Sequence, residues 1–122
     1  MTWTYHQSSG SLFHDGDYVT TGYSGHGEGL NNPVFEAVHN VGPIPRGGWN
    51  VGPSFKHPTK GPVVMRLTPK EGTDTFGRDG FLIHGDSVAH AGEHVASEGC
   101  VILDRATRQG IADSDDRDLE VV

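Results

Sequence analysis

The sequence predicts a mainly β fold with one or two short helices, in a single domain that spans residues 1–122. The chain has 18 glycines and 7 prolines among its 122 residues, so turns are frequent and long helices are disfavoured. Its apolar residues come in short runs bounded by glycine and polar residues, which is typical of buried strands. A compact β-rich domain with elaborate loops follows from these two observations.

Three short strands are predicted near the N-terminus, over residues 3–7, 11–14 and 18–21. Asp15-Gly16 is a strong hairpin signal between the second and the third. A glycine-dense loop follows at 22–29, and residues 33–40 have room for one helical turn. Trp49 and Val51 then face inward from another strand, residues 53–62 form a loop, and residues 63–68 form the next strand.

Two further apolar runs, at 81–84 and 100–103, read as short buried strands that lie side by side in one sheet. Asp104 is a suitable N-cap for a helix over 105–109, which Gly110 ends. Residues 119–122 alternate in polarity and suit a final edge strand.

The charge balance argues against two classes of partner. The net charge is −7 with the histidines neutral, and no basic run occurs, so binding to nucleic acid or to anionic lipid is disfavoured. No apolar stretch approaches the length that spans a membrane. The N-terminus lacks the basic and apolar regions of a signal peptide, so we expect a protein that reaches any other compartment by a different route.

A candidate nucleophile and a candidate base stand at the ends of the two core runs. Cys100 is the single cysteine, and a cysteine nucleophile needs a base such as His84 to take its proton. Gly99 would let the backbone amides around Cys100 converge on one point, as in an oxyanion hole. Either Asp86 or the carbonyl of Gly85 would orient the imidazole of His84.

Two other interpretations of these histidines remain open. His84, Asp86, His90 and His94 lie within eleven residues, and His90 and His94 would share one face of a helix, so a zinc site that activates water is an alternative. His90 and His94 are otherwise ordinary surface histidines of a loop.

The paired core motifs resemble those of a known enzyme family. Ile83-His84-Gly85, followed by Ser97, Gly99 and Cys100, is similar to the active-site motif of L,D-transpeptidases with a YkuD-type catalytic domain, although Glu98 stands where most of them have a second histidine. The forms at 81–86 and 96–100 are more similar to the L,D-transpeptidase-like effectors of type VI secretion. The segments 23–25, 31–33 and 42–47 also look like that branch.

The resemblance implies a compact β-sandwich or barrel that acts on peptidoglycan stem tetrapeptides. Cys100 would form a thioester and expel the terminal D-alanine, and water or a D-amino acid would then accept the acyl group. His84 would be base and then acid, the amides of Gly99 and Cys100 would hold the oxyanion, and Ser97 would brace the turn or the histidine. We expect Glu98 to point away, or to pair with Arg78 or Arg105.

The resemblance also implies further contacts and partners. Six residues are expected to contact the substrate: Tyr23, Ser24, Asn32, Arg46, Gly85 and Asp86. No cofactor is implied. An immunity protein and a type VI delivery component are the expected protein partners, and the periplasm of a target bacterium is the expected place of action. A catalytically silent module that binds the cell wall is the remaining alternative on the same fold.

Overall fold

The computed structural model describes residues 1–86 and 96–122, and these are mainly β with one α-helix, as the sequence predicts. The strands in chain order are β1 (Trp3–Tyr5), β2 (Ser11–His14), β3 (Asp17–Thr21), β4 (Tyr23–Ser24), β5 (Gly47–His57), β6 (Gly61–Pro69), β7 (Leu82–His84), β8 (Val101–Ile102) and β9 (Asp118–Val121). Helix α1 covers Arg105–Asp113, and 3₁₀ turns occupy Gly27–Gly29 and Pro33–Phe35.

The described strands form one mixed sheet with the order β3-β2-β1-β9-β5-β6-β7-β8-β4. Two neighbouring pairs are parallel, namely β1 with β9 and β7 with β8, and the other pairs are antiparallel. The two apolar runs that carry His84 and Cys100 therefore lie side by side, which confirms their predicted pairing.

The core is a single cluster to which distant strands of the sheet contribute. Trp3 comes from β1, Trp49 from β5 and Val101 from β8, and all three are buried in the same cluster. Strands that are several places apart in the sheet can share one core only if the sheet curls over itself, and this agrees with the predicted sandwich. Ile111 of helix α1 packs into the same cluster.

The hairpin of β5 and β6 is longer than the sequence predicts. The expected loop over 53–62 is wrong, because β5 continues to His57 and β6 begins at Gly61. The ladder shifts register between Val51 and Ser54, which accommodates Pro53 and lets the pairing resume beyond it. The long hairpin places its turn, residues 58–60, beside the end of β7.

Two predictions at the C-terminus are also wrong. Strand β9 is not an edge strand, because it pairs with β1 on one side and β5 on the other, with Leu119 and Val121 buried. Helix α1 does not end at Gly110 but continues to Asp113, and this extension buries the side chain of Ile111. The helix ends where the backbone of Ser114 bonds back to Gly110 and Ile111. Asp104 is the N-cap, as predicted.

Candidate active site

Strands β7 and β8 bring His84 and Cys100 to one face of the sheet. Ile83 lies opposite Val101, and continuing this register places Cys100 opposite Leu82. Because side chains alternate between the faces of a sheet, Ile83 and Val101 enter the core while His84 and Cys100 project from the other face. The two residues are therefore diagonal neighbours on adjacent strands, which is within reach for a nucleophile and its base.

Both side chains line a cleft of about 370 Å³. This volume is in the range of sites that bind small molecules or part of a peptide. Lys60 reaches the cleft from the turn between β5 and β6, while Arg78, Phe81 and Glu98 line it from the segments around the two core strands. We call this space the catalytic cleft, after the candidate catalytic pair that lines it.

The hydrogen bonding of His84 fixes its tautomer. Its Nδ1 lies 2.8 Å from the carbonyl oxygen of Gly85, which can only accept, so Nδ1 carries the hydrogen. The Nε2 atom is buried and has no hydrogen-bond partner among residues 1–86 and 96–122. A neutral imidazole in this tautomer presents the Nε2 lone pair as a base. Asp86 does not orient the ring through Nδ1, because the Gly85 carbonyl has that position.

Burial keeps His84 neutral at physiological pH. Burial is the largest cause that lowers the pKa of the imidazole; the bond to Gly85 raises it and the charges of Lys60 and Arg108 lower it, and the net result is a change from 6.5 to about 4. A buried polar nitrogen without a partner is costly, and such groups in native proteins call for an explanation. A role as a general base, which needs a free lone pair on Nε2, is one such explanation.

Burial also raises the pKa of the Cys100 thiol above its ordinary value. The backbone of Leu82 and the charges of Lys60 and Arg78 oppose this shift, while the carboxylate of Glu98 adds to it. The thiol also donates a long hydrogen bond, 3.8 Å from Sγ to the carbonyl oxygen of Gly80. Both shifts favour the uncharged forms, so a neutral thiol and a neutral imidazole line the same cleft.

Ser97 holds the turn that presents Cys100. It is fully buried, and its Oγ donates to the Cys100 carbonyl at 2.6 Å while accepting from the backbone N–H groups of Gly25 at 2.9 Å and Gly99 at 3.1 Å. Of the two predicted roles, the structure shows the brace of the turn. Ser97 therefore positions Cys100 through the backbone.

The bond from Gly99 to Ser97 also changes the expected oxyanion hole. The Gly99 N–H is already engaged by Ser97 Oγ, so it is not free to bind an oxyanion. The Cys100 N–H donates no hydrogen bond to any residue that the structure describes. Gly99 is required for another reason: it has φ +134°, and an added Cβ would overlap the guanidinium of Arg78.

Arg78 is the main positioning residue that the sequence analysis missed. Its buried guanidinium donates to the carbonyls of Glu36 at 2.6 Å, Pro43 at 2.8 Å and Gly42 at 2.9 Å, with a longer contact of 3.4 Å to that of Glu98. It thereby ties the 36–43 segment to the turn before Cys100. A single arginine in a polar loop gives no sequence signal for this role.

Arg78 does not pair with the Glu98 carboxylate as one of the expectations had it. Glu98 is exposed, but it lines the cleft and its carboxylate raises the pKa of Cys100, so the structure does not bear out the expectation that it points away. Its contact with Arg78 is made by the backbone carbonyl. Within the described part of the chain its carboxylate forms no ion pair with Arg78 or Arg105. The guanidinium of Arg78 instead lies over the ring of Phe81, 5.1 Å from its centroid.

Tyr23 and Asp86 lie together beside strands β7 and β8. The hydroxyl of buried Tyr23 donates to Asp86 Oδ1 at 2.6 Å and accepts from the N–H of Ala96 at 3.0 Å. Burial and the bond to Asp86 raise the pKa of Tyr23. Tyr23, Gly85 and Asp86 line a second cavity of about 470 Å³, next to Arg108, rather than the catalytic cleft.

Three other predicted substrate contacts do not line the catalytic cleft. Ser24 is fully buried, where its Oγ donates to the Gly99 carbonyl and accepts from the N–H of Ile44, so it supports the turn before Cys100. Asn32 caps the second 3₁₀ turn. Arg46 forms a two-point ion pair with Glu36 on the exposed side of the molecule.

The predicted metal alternative involves His90 and His94, which lie outside the described residues. Within the described residues, one group has the spacing to hold a metal ion: His14, Asp15 and Asp116. His14 belongs to β2, so this group is far along the sheet from β7 and β8. Its closest contact, 2.9 Å between His14 Nε2 and Asp116 Oδ2, is already a satisfied hydrogen bond.

Comparison with known proteins identifies one family. The family model described as the Tlde1 domain matches residues 18–117, which is most of the chain. No curated protein matches the chain at a significant level. Within the described residues, no helix has the length and apolar character needed to cross a bilayer.

Proposed function

The chain belongs to the Tlde1 domain family of type VI secretion effectors, and from this premise we propose that it is a cysteine enzyme that modifies peptidoglycan stem peptides. The observation that carries the proposal is the pairing of Cys100 with His84 in one cleft, with the Nε2 of His84 buried and lacking a partner among the described residues. The proposed activity is that of an L,D-transpeptidase or L,D-carboxypeptidase, on a YkuD-type catalytic domain that spans residues 1–122 and uses no cofactor.

The proposed first step is acyl transfer to sulfur. His84 Nε2 takes the proton of Cys100, and Sγ attacks the carbonyl carbon that joins the L-centre of diaminopimelate to the terminal D-alanine. A C–S bond forms as the C–N bond breaks, and the imidazolium returns its proton to the leaving amine of D-alanine. The products of this step are a thioester on Cys100 and free D-alanine.

The second step releases the acyl group. Water gives a tripeptide carboxylate, and a free D-amino acid gives a new amide; in either case His84 takes a proton from the acceptor and returns it to sulfur. The Cys100 N–H is our candidate for an oxyanion donor, because Gly99 is engaged by Ser97. Ser97 and Gly99 remain in the proposal as positioning residues.

The electrostatics support general-base activation of the thiol. Burial raises the pKa of Cys100, so little thiolate exists at neutral pH, and burial lowers the pKa of His84 to about 4, so the base is unprotonated. Both shifts oppose a resting thiolate–imidazolium ion pair. Proton transfer is then coupled to attack on the bound substrate rather than completed before it.

The family supplies the biological setting. An effector family implies delivery into target bacteria, a peptidoglycan substrate and a protective partner in the producing cell. We propose that this chain acts in the periplasm of the target, that a type VI component carries it there, and that a cognate immunity protein blocks the catalytic cleft.

The test is mass spectrometry of purified peptidoglycan tetrapeptide fragments incubated with the wild-type protein, with Cys100→Ala and with His84→Ala. We expect loss of D-alanine, or its replacement by an added D-amino acid, with the wild type alone. His26→Ala is the matched control, because His26 is exposed and does not line the cleft.

Two outcomes would contradict the proposal. Equal activity of Cys100→Ala would show that another group is the nucleophile, and sensitivity to a chelator would then be measured. If the wild type binds the fragments without changing them, the protein is a wall-binding module.

A further inference from the structure

The cations that line the catalytic cleft differ in the hydrogen bonds that their charged groups make. Lys60 and Arg78 are the positively charged residues among the described lining, which also contains Asp79 and Glu98. The guanidinium of Arg78 is bonded to backbone carbonyls and stacked on Phe81. By contrast, the ammonium of Lys60 makes no hydrogen bond and no ion pair with any residue that the structure describes.

The backbone that carries Lys60 is held in place. Lys60 is the last residue of the turn between β5 and β6, and its N–H donates to the Nδ1 of His57 at 3.2 Å. The N–H of Thr59 donates to the same nitrogen at 3.1 Å. Gly61 follows with φ +82°, a conformation that favours glycine, and the β6 strand begins there. The turn, whose backbone is held by these hydrogen bonds, therefore directs Lys60 to the cleft.

The charge of Lys60 is felt by both reactive groups. Lys60 lines the same cleft as Cys100 and His84, and its charge lowers the pKa of both groups. Lys60 is itself exposed, so its side chain is accessible to a ligand that enters the cleft. A free cation next to a nucleophile is suited to bind an anion of the substrate.

The proposed substrate carries its nearest anion on the leaving residue. In a tetrapeptide stem, one nitrogen and one carbon atom separate the scissile carbonyl from the terminal carboxylate of D-alanine. The side-chain carboxylate of diaminopimelate is farther away along an aliphatic chain. We propose that Lys60 binds the terminal carboxylate of the leaving residue and so selects stem peptides that end one residue after the scissile bond. This inference rests on the function proposed above.

The test compares a tetrapeptide with two amides of it, one at its C-terminus and one at the side chain of diaminopimelate. With the wild type, we expect kcat/KM for the C-terminal amide to fall about tenfold or more, the scale of one charged hydrogen bond, and the side-chain amide to be cleaved almost normally. In Lys60→Gln the free acid and the C-terminal amide should become equally poor substrates. Lys60→Arg should restore most of the preference.

Lys56→Gln is the matched control, because Lys56 is exposed on the same hairpin and does not line the cleft. If Lys60→Gln keeps the wild-type preference for the free acid, the assignment is wrong. If kcat/KM falls only for the side-chain amide, Lys60 binds the carboxylate of diaminopimelate and the proposal also fails. Either failure leaves the cysteine mechanism intact, since that mechanism is judged by Cys100→Ala on the unmodified tetrapeptide.

Discussion

Replacement of Ser97 by alanine separates a structural role of this side chain from a chemical one. Its Oγ makes three hydrogen bonds with backbone groups of Gly25, Gly99 and Cys100, and the residue is fully buried. Removal leaves two buried N–H groups and one carbonyl without that partner, at about 1 kcal/mol each. We therefore expect Ser97→Ala to lower the free energy of unfolding by about 3 kcal/mol.

Urea denaturation followed by tryptophan fluorescence measures this change. The midpoint should fall while the m-value stays the same, since the surface exposed on unfolding is unchanged. Alkylation of Cys100 by iodoacetamide should become faster in the variant, because the turn that presents the thiol is loosened. Ser54→Ala is the control: Ser54 is exposed on β5, and its replacement should change stability by less than about 0.5 kcal/mol.

The reasoning would be refuted by a stable variant that has lost activity. If Ser97→Ala unfolds at the wild-type midpoint and still fails to process tetrapeptides, the hydroxyl takes part in the reaction directly. The three backbone contacts would then not be what the residue contributes.

Three further predictions concern the same site. The pKa of His84 is about 4 in the folded state and 6.5 in the unfolded state, so the unfolded chain binds an extra proton between these pH values. The free energy of unfolding should therefore fall by about 3 kcal/mol from pH 7 to pH 4. Urea midpoints measured across this pH range should fall less in His84→Asn. Arg78→Met should destabilise the fold by about 3 kcal/mol, because three hydrogen bonds to backbone carbonyls are lost. It should also raise the pKa of the Cys100 thiol further, which the pH dependence of Cys100 alkylation measures. Arg78→Lys should give intermediate values of both quantities. Gly99→Ala should lower the melting temperature, whereas the same change at Gly110, which has open space around it, should not.

The local part of the site could be predicted from the sequence. Two short apolar runs, one ending in His84 and one following Cys100, were enough to predict neighbouring strands. The alternation of side chains then places both residues on one face, and Gly85 after β7 and Gly99 before Cys100 mark sharp turns. The carbonyl of Gly85 was one of two predicted partners for the imidazole, and the structure selects it.

The non-local part could not be predicted. Arg78 acts through carbonyls of residues 36–43 and 98, and no pattern near residue 78 indicates which distant carbonyls will surround it. Strand β9 has the same alternation whether it lies at an edge or in the centre, and only its pairing with β1 and β5 decides. Tyr23 and Ser24 were predicted to contact the substrate, but Tyr23 lines the second cavity and Ser24 is fully buried, with its hydroxyl bonded to the Gly99 carbonyl.

The central claim is a thioester on Cys100, and intact-protein mass spectrometry tests it most directly. The wild-type protein is mixed with a tetrapeptide fragment, quenched in acid within the first turnovers, and digested to locate the adduct. We predict an added mass equal to the fragment minus D-alanine, on the peptide that contains Cys100, and no adduct in Cys100→Ala. Release of D-alanine without any adduct, together with an active Cys100→Ala, would contradict the account.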